Sequence, residues 1–161
     1  ATNPDVTIRK GDKERGVLPK AYIINIYEGL KNLKTCRHQD ENISINFKIS
    51  EDFKGFVVGI KNIGHQTISV NWASSTISDN HVLIDDVPYS DYMSLGRLHS
   101  GEYVTKTLRE KSLWGFLWEE DILRQDLKLT NNAAYVIRIP ITLESGKKIN
   151  YKFPIVTDRA D

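Results

Sequence analysis

Ile43-Ser44-Ile45-Asn46-Phe47-Lys48-Ile49 alternates apolar and polar side chains without a break. A period of two places the isoleucines and Phe47 on one face of an extended chain and Ser44, Asn46 and Lys48 on the other. The run therefore predicts a β-strand with one buried and one wet face. Glu51-Asp52 interrupts it, and Gly55-Phe56-Val57-Val58-Gly59-Ile60 resumes as a second strand rich in β-branched and aromatic residues.

The pattern continues outward in both directions. Asn62-Ile63-Gly64-His65 predicts a turn, and residues 67–72 alternate again with Ile68, Val70 and Trp72 on one face. Residues 73–101 are less regular. Ser74-Ser75-Thr76 and Ser78-Asp79-Asn80 are loop chemistry, and His81-Val82-Leu83-Ile84 predicts a short strand that ends at Asp85-Asp86-Val87-Pro88. Residues 102–108 alternate. In 133–143, Tyr135, Ile137, Ile139 and Ile141 share a face, Ser145-Gly146 turns the chain, and Ile149, Tyr151 and Phe153 return as the second arm of a hairpin. Pro140 has no N–H for a ladder, which predicts an edge or a bulge at that point. Residues 22–33 and 112–129 combine helical spacing with strand composition, and a short helix is expected over 119–125.

Six or more strands with turns between them predict a mainly β domain: an antiparallel, immunoglobulin-like β-sandwich with one or two short helices. The chain has 161 residues, 40% hydrophobic and 27% charged, which fits one domain with a real core. Residues 1–16 are polar and carry Pro4, Gly11 and Gly16; they read as a leader or tether before a single domain over 17–161. The sole Met is Met93, so the chain is expected to start after a removed signal peptide, lipoprotein leader or tag. A net charge of +1, from 22 basic and 21 acidic side chains, offers no field for nucleic acid. No apolar run approaches the roughly 20 residues of a membrane span. The domain is expected not to span a membrane, though a tether at its N-terminus would hold it to one.

Within residues 55–72 the run FVVGIKNIGHQTISVNW pairs a strand ending in Lys61-Asn62 with a strand ending in Asn71-Trp72 and a Ser-rich loop. It resembles the strand pairs of small immunoglobulin-like sandwich domains in bacterial envelope lipoproteins and other exported proteins of unassigned role. The resemblance covers about a third of the chain. It implies a sandwich and a periplasmic, outer-membrane-associated or secreted location, and it implies no chemistry. The cysteine pair that frames the Trp of antibody domains is not here, because Cys36 is the only cysteine.

Candidate sites are few. Trp114-Gly115-Phe116-Leu117-Trp118 is the most unusual passage, with Trp114, Phe116 and Trp118 on one face of an extended chain. Such rings bury about 150–250 Å² each, so core packing competes with a role as a binding patch for protein or glycan. Cys36 and His38 share a strand face without a third orienting group. Asp79, Asp85, Asp86 and Asp91 make the middle loops acidic but match no calcium loop. His38, His65, His81 and His99 show no zinc spacing. Ser74, Ser75 and Ser90 lack a nucleophile elbow, and Glu119, Glu120 and Asp121 are adjacent rather than opposed. Asn42-Ile43-Ser44 matches a glycosylation acceptor. No phosphate loop is present, and no catalytic residue, metal or cofactor is nominated.

The function class that follows is a non-enzymatic exported or cell-envelope domain that binds another protein. A carbohydrate-binding sandwich and a hydrolase with a loop-assembled site are the alternatives. Three buried indoles would remove the first; a pocket with two carboxylates, or a His beside a Ser or Cys, would support the second.

Overall fold

The computed structural model describes residues 21–28, 31–33, 36–52, 54–111, 124–125 and 133–160. The fold is mainly antiparallel β, with the strands hydrogen-bonded into one continuous sheet that curls into a sandwich. In chain order the strands are β1 (Ala21–Glu28), β2 (Lys31–Leu33), β3 (Arg37–Gln39), β4 (Ile43–Ile49), β5 (Phe56–Asn62), β6 (Ile68–Val70) and β7 (Thr76–Ile77). They continue with β8 (Asn80–Ile84), β9 (Arg97–Leu98), β10 (Tyr103–Lys111), β11 (Arg124–Gln125), β12 (Ala133–Leu143) and β13 (Lys148–Ala160). Two single-turn 3-10 helices, Trp72–Ser74 and Tyr89–Asp91, interrupt them.

One half of the sandwich runs β2-β1-β13-β12, with β7 and β6 sharing the far edge of β12 and β9 beyond β6. The other runs β8-β10-β5-β4-β3, with β11 also on β10. The halves meet at the β7–β8 hairpin, where Thr76 faces His81 and Ile77 faces Asn80. Its two-residue loop holds Ser78 and Asp79 at φ of 49° and 70°, the primed turn that matches strand twist. The β12–β13 hairpin instead closes through Gly146 at φ 93°, with Gly146 N donating to Leu143 O at 2.9 Å.

Alternation does what the sequence predicts for the apolar face, whereas Ser44, expected on the wet face, is 7% exposed and accepts from Arg37 Nε at 3.2 Å. Ile43, Ile45 and Phe47 of β4, Phe56, Val58 and Ile60 of β5, and Ile137, Ile139 and Ile141 of β12 are all buried in one core. Phe47 meets Phe153 with ring centres 5.0 Å apart, and Phe56 meets Tyr135 at 5.3 Å, so aromatic pairs bind one half to the other. Each such ring fully buried contributes about 1.5–3 kcal/mol. Residues 22–33, ambiguous by sequence, supply β1 and β2, and Ile24 and Ile26 point into the core. The expected helix over 119–125 lies outside the described residues except for Arg124 and Gln125, which form a strand on β10.

Pro140 sits elsewhere than at a sheet edge. β12 has β13 on one side and β7 and β6 on the other, and Pro140 falls between the stretch paired to β7 and the stretch paired to β6. A gap between two short neighbours spares the missing N–H as well as an edge does. The Pro140 carbonyl still accepts from Asn71 N at 2.9 Å.

Two side chains close the open ends. Cys36 donates its thiol to Ile24 O at 2.8 Å while its own carbonyl accepts from Phe47 N at 2.8 Å, which ties β1 to β4. Buried Asn62 donates to Gln66 O at 2.7 Å and Leu98 O at 3.0 Å and accepts from Gly64 N at 3.1 Å, so the turn after β5 is fastened to β9.

Candidate functional site

The β3–β4 turn places an aspartate where a short acceptor is needed. Asp40 Oδ1 accepts from Asn42 N at 2.8 Å and Ile43 N at 2.9 Å, the local bonding that makes Asp a turn residue. Its other oxygen accepts the Tyr151 hydroxyl at 2.5 Å, which joins this turn to β13. His38 Nε2 stands 3.8 Å from the same Oδ2, beyond hydrogen-bond reach, and its ring packs edge-on against Tyr151 and Phe153. Partial burial pushes the Asp40 carboxyl up. The Tyr151 hydroxyl, the Ile43 and Asn42 amides and the His38 ring outweigh it, and the net shift is downward. Burial, then the Asp40 carboxylate, pushes the Tyr151 phenol up. Around these groups lies a cleft of about 390 Å³, walled by Tyr27 of β1, His38 and Asp40, and residues 150–153 of β13.

The floor of the cleft is a strand edge. β1 follows β13 only as far as Ile26 opposite Ile155. The next pair would set Tyr27 against Pro154, which has no N–H to exchange. Beyond it, among the described residues, only β12 accompanies β13. The backbone directions follow from the far side of β12. Pro140 O accepts from Asn71 N, and Val136 O accepts from Ser78 N at 2.8 Å, so both residues face away from β13. Their register partners Asn150 and Pro154 must then face away from β12, and by alternation so does Lys152, opposite Arg138. The N–H and C=O groups of Asn150 and Lys152 thus point to the side that β1 has left.

A second feature is convex. Tyr92 is 1% exposed, and its hydroxyl accepts from Ile84 N at 2.5 Å. Asp91 N donates to Pro88 O at 2.9 Å and Ser94 N to Asp91 O at 3.1 Å, which fixes the turn around it. On this anchored turn Met93 is 86% exposed and Tyr89 40% exposed, with the Tyr89 ring tilted against Tyr92 at 4.9 Å.

The sequence-nominated residues fare variously. Trp114, Phe116 and Trp118 lie outside the described residues. Trp72 is 1% exposed and serves the core, so one of the three indoles is withdrawn from any glycan-binding surface. Burial pushes the Cys36 thiol up, against the backbone bond to Ile24, the opposite of an activated nucleophile. The four loop aspartates do not converge: Asp85 is gripped by Arg109, and Asp79 lies 3.9 Å from Arg138. Among the described residues no group of three acidic, His or Cys side chains could hold a metal ion. Thr67 Oγ1 and His99 Nδ1 are 3.2 Å apart, with Glu102 3.9 Å beyond, but His99 and Glu102 are 62% and 50% exposed. Water competes for each of those contacts, so they do not activate the hydroxyl.

Sequence reasoning missed Tyr151 with Asp40, whose partnership spans 111 residues of chain, and Arg109, a buried cation between Asp52 and Asp85. Neither has a local signal. The edge of β13 that no described strand covers did have one: Pro154, four residues after Asn150 in a strand that alternates cleanly. No helix among the described residues is long and apolar enough to cross a membrane. No family model matches the chain, and no curated protein or solved structure matches it.

Proposed function

We propose that this is a non-enzymatic, exported domain of a bacterial cell envelope that works by binding another protein, and that the Tyr89 and Met93 turn makes the contact. The observation that carries the proposal is the exposure of Met93 on a turn held rigid by buried Tyr92. Tyr and Met are enriched in the cores of protein interfaces. A Met side chain moved from water into a partner contributes about 1.5–3 kcal/mol. Because the turn is already fixed, little ordering entropy opposes that gain. The compartment rests on the envelope-domain resemblance of residues 55–72.

Photo-crosslinking from position 93 in the native host tests the reading. A single saturable partner, lost in Tyr89→Ala and not captured from the exposed control position Lys147, is the expected result. Labelling at position 93 no different from that at 147 overturns it. Fractionation of the full gene product that places it in the cytoplasm overturns the export assignment.

A further inference from the structure

We propose that the cleft beside β13 takes an extended segment of a partner protein, added as a strand along Asn150 and Lys152, with a lysine or arginine of that segment opposite Tyr151. The site is separate from the Tyr89 and Met93 turn, and each stands without the other.

Backbone chemistry comes first. Asn150 and Lys152 each direct an N–H and a C=O to the side of β13 that, among the described residues, no strand accompanies. They are two residues apart, about 6.8 Å, which is the repeat at which an added strand meets its neighbour. An incoming segment can therefore form four ladder bonds without displacing any bond to β12. Pro154 marks one end of the site, because it can offer an acceptor and no donor.

Side chains then set the chemistry of the segment. The residue opposite Tyr151 has its side chain on the inner face of the sheet, where Tyr151 reaches Asp40. A carboxylate accepts at about four positions. Asp40 uses three of them, for Asn42 N, Ile43 N and the Tyr151 hydroxyl. The remaining acceptor lies on Oδ2, beside the His38 ring at 3.8 Å and open to the cleft. A cationic side chain fits there by charge and against the ring of Tyr151. The residues flanking that cation fall on the outer face beside the exposed Lys152 and Asn150, where an acidic or neutral side chain is suited. The edge is recessed between Tyr27 and the β3–β4 turn, and the cleft of about 390 Å³ has room for a strand of a few residues. A flexible segment can enter such a notch, whereas the edge of a second folded copy would meet the turn first.

The test uses the whole chain and the acetylated, amidated peptide Val-Thr-Lys-Glu-Val, with versions carrying norleucine or glutamate in place of lysine. Amide hydrogen exchange is read residue by residue. Saturation with the lysine peptide is expected to slow exchange at Asn150 and Lys152 by about tenfold or more, and to leave Tyr151 and Phe153, which face β12, unchanged. Lys152→Pro removes one outward donor and touches no bond to β12, as Pro154 already does, and is expected to weaken binding about tenfold. Asp40→Asn is expected to erase the preference for lysine over norleucine. Three outcomes overturn the proposal: no binding at millimolar peptide, binding without protection at Asn150 and Lys152, or a wild-type affinity that ignores the peptide's charge. Self-association that Lys152→Pro abolishes would also overturn it, in favour of a second copy as occupant.

Discussion

Arg109 grips Asp85 through two parallel bonds, Nε to Oδ1 at 2.9 Å and Nη2 to Oδ2 at 3.0 Å, and with the same guanidinium reaches Asp52 Oδ2 at 2.9 Å. The cation is nearly enclosed, at 7% side-chain exposure, while its two carboxylates are 29% and 43% exposed. Asp85 and then Asp52 raise the guanidinium's proton affinity against the opposing effect of burial. The two carboxylates left by removing Arg109 are partly exposed and regain water, so what is lost is the charge-assisted bonds and the packing of the buried stem. Arg109→Met is therefore expected to cost about 1–2 kcal/mol in urea unfolding at pH 7.

The same cluster sets an acid limit. Burial raises the Asp52 carboxyl, but Arg109, Ser50 and Lys54 together hold it well below the ordinary carboxylate range. A carboxyl depressed in the folded state stabilises above its unfolded value of about 3.9, and that stability is lost as pH falls toward the folded value. The penalty of Arg109→Met should accordingly shrink between pH 4 and pH 2. A penalty that stays constant over that interval would contradict the assignment.

Gly96 and Gly101 are expected to respond differently to alanine. A Cβ on Gly96 would stand 1.9 Å from Val70 O, a backbone atom of β6 that cannot swing aside. Gly101 has φ of 86° and nothing within 4 Å of its Cβ position. Gly96→Ala should cost about 3 kcal/mol or more, through overpacking. Gly101→Ala should cost about 1–2 kcal/mol, from left-handed backbone alone. Chemical denaturation of the two variants side by side separates the causes.

The β7–β8 loop is improvable. Asp79 adopts φ of 70° with a side chain where glycine has no steric penalty, and its contact with Arg138 is an exposed 3.9 Å pair. Asp79→Gly is expected to raise stability by about 0.5–1 kcal/mol, measured as a higher melting temperature.

Glu110 is the opposite case from Asp52. It is 9% exposed on β10, with Asn80 Nδ2 at 3.3 Å as a weak donor. Burial pushes its carboxyl up, more than Asn80 lowers it. A carboxyl raised in the folded state loses stability as pH climbs through the folded value. Glu110→Gln keeps the acceptor and removes the charge, so it should stabilise at pH 7 and have little effect at pH 4.

How much of this is written in local sequence depends on the reach of each interaction. Ile43 to Ile49 declares its strand because alternation is a property of neighbours. Residues 22–33 do not, since Ile23, Ile26, Tyr27 and Leu30 also satisfy helical spacing; Ala21–Glu28 becomes a strand because β13 lies ready to pair with it. Pro140 predicts a missing donor and an edge or a bulge; of these the edge is not found, and the donor is missing where residues 71–75 loop out between β6 and β7. Asp40 announces a turn, which is local, and hides Tyr151, which is not. Arg109 alternates into a position that by pattern belongs to a surface, and only the fold reveals the two aspartates waiting there.

The pairing of Ala21 with Ala160 has a mechanical consequence. Chain enters β1 and leaves β13 side by side at one end of the sandwich. A load applied through those two points would open the ladder like a zip, breaking perpendicular hydrogen bonds in turn rather than all together. Single-molecule pulling from residues 21 and 160 should register low, stepwise forces, and a linker between the same two points should let the chain be reopened at the Ser145-Gly146 turn without loss of fold.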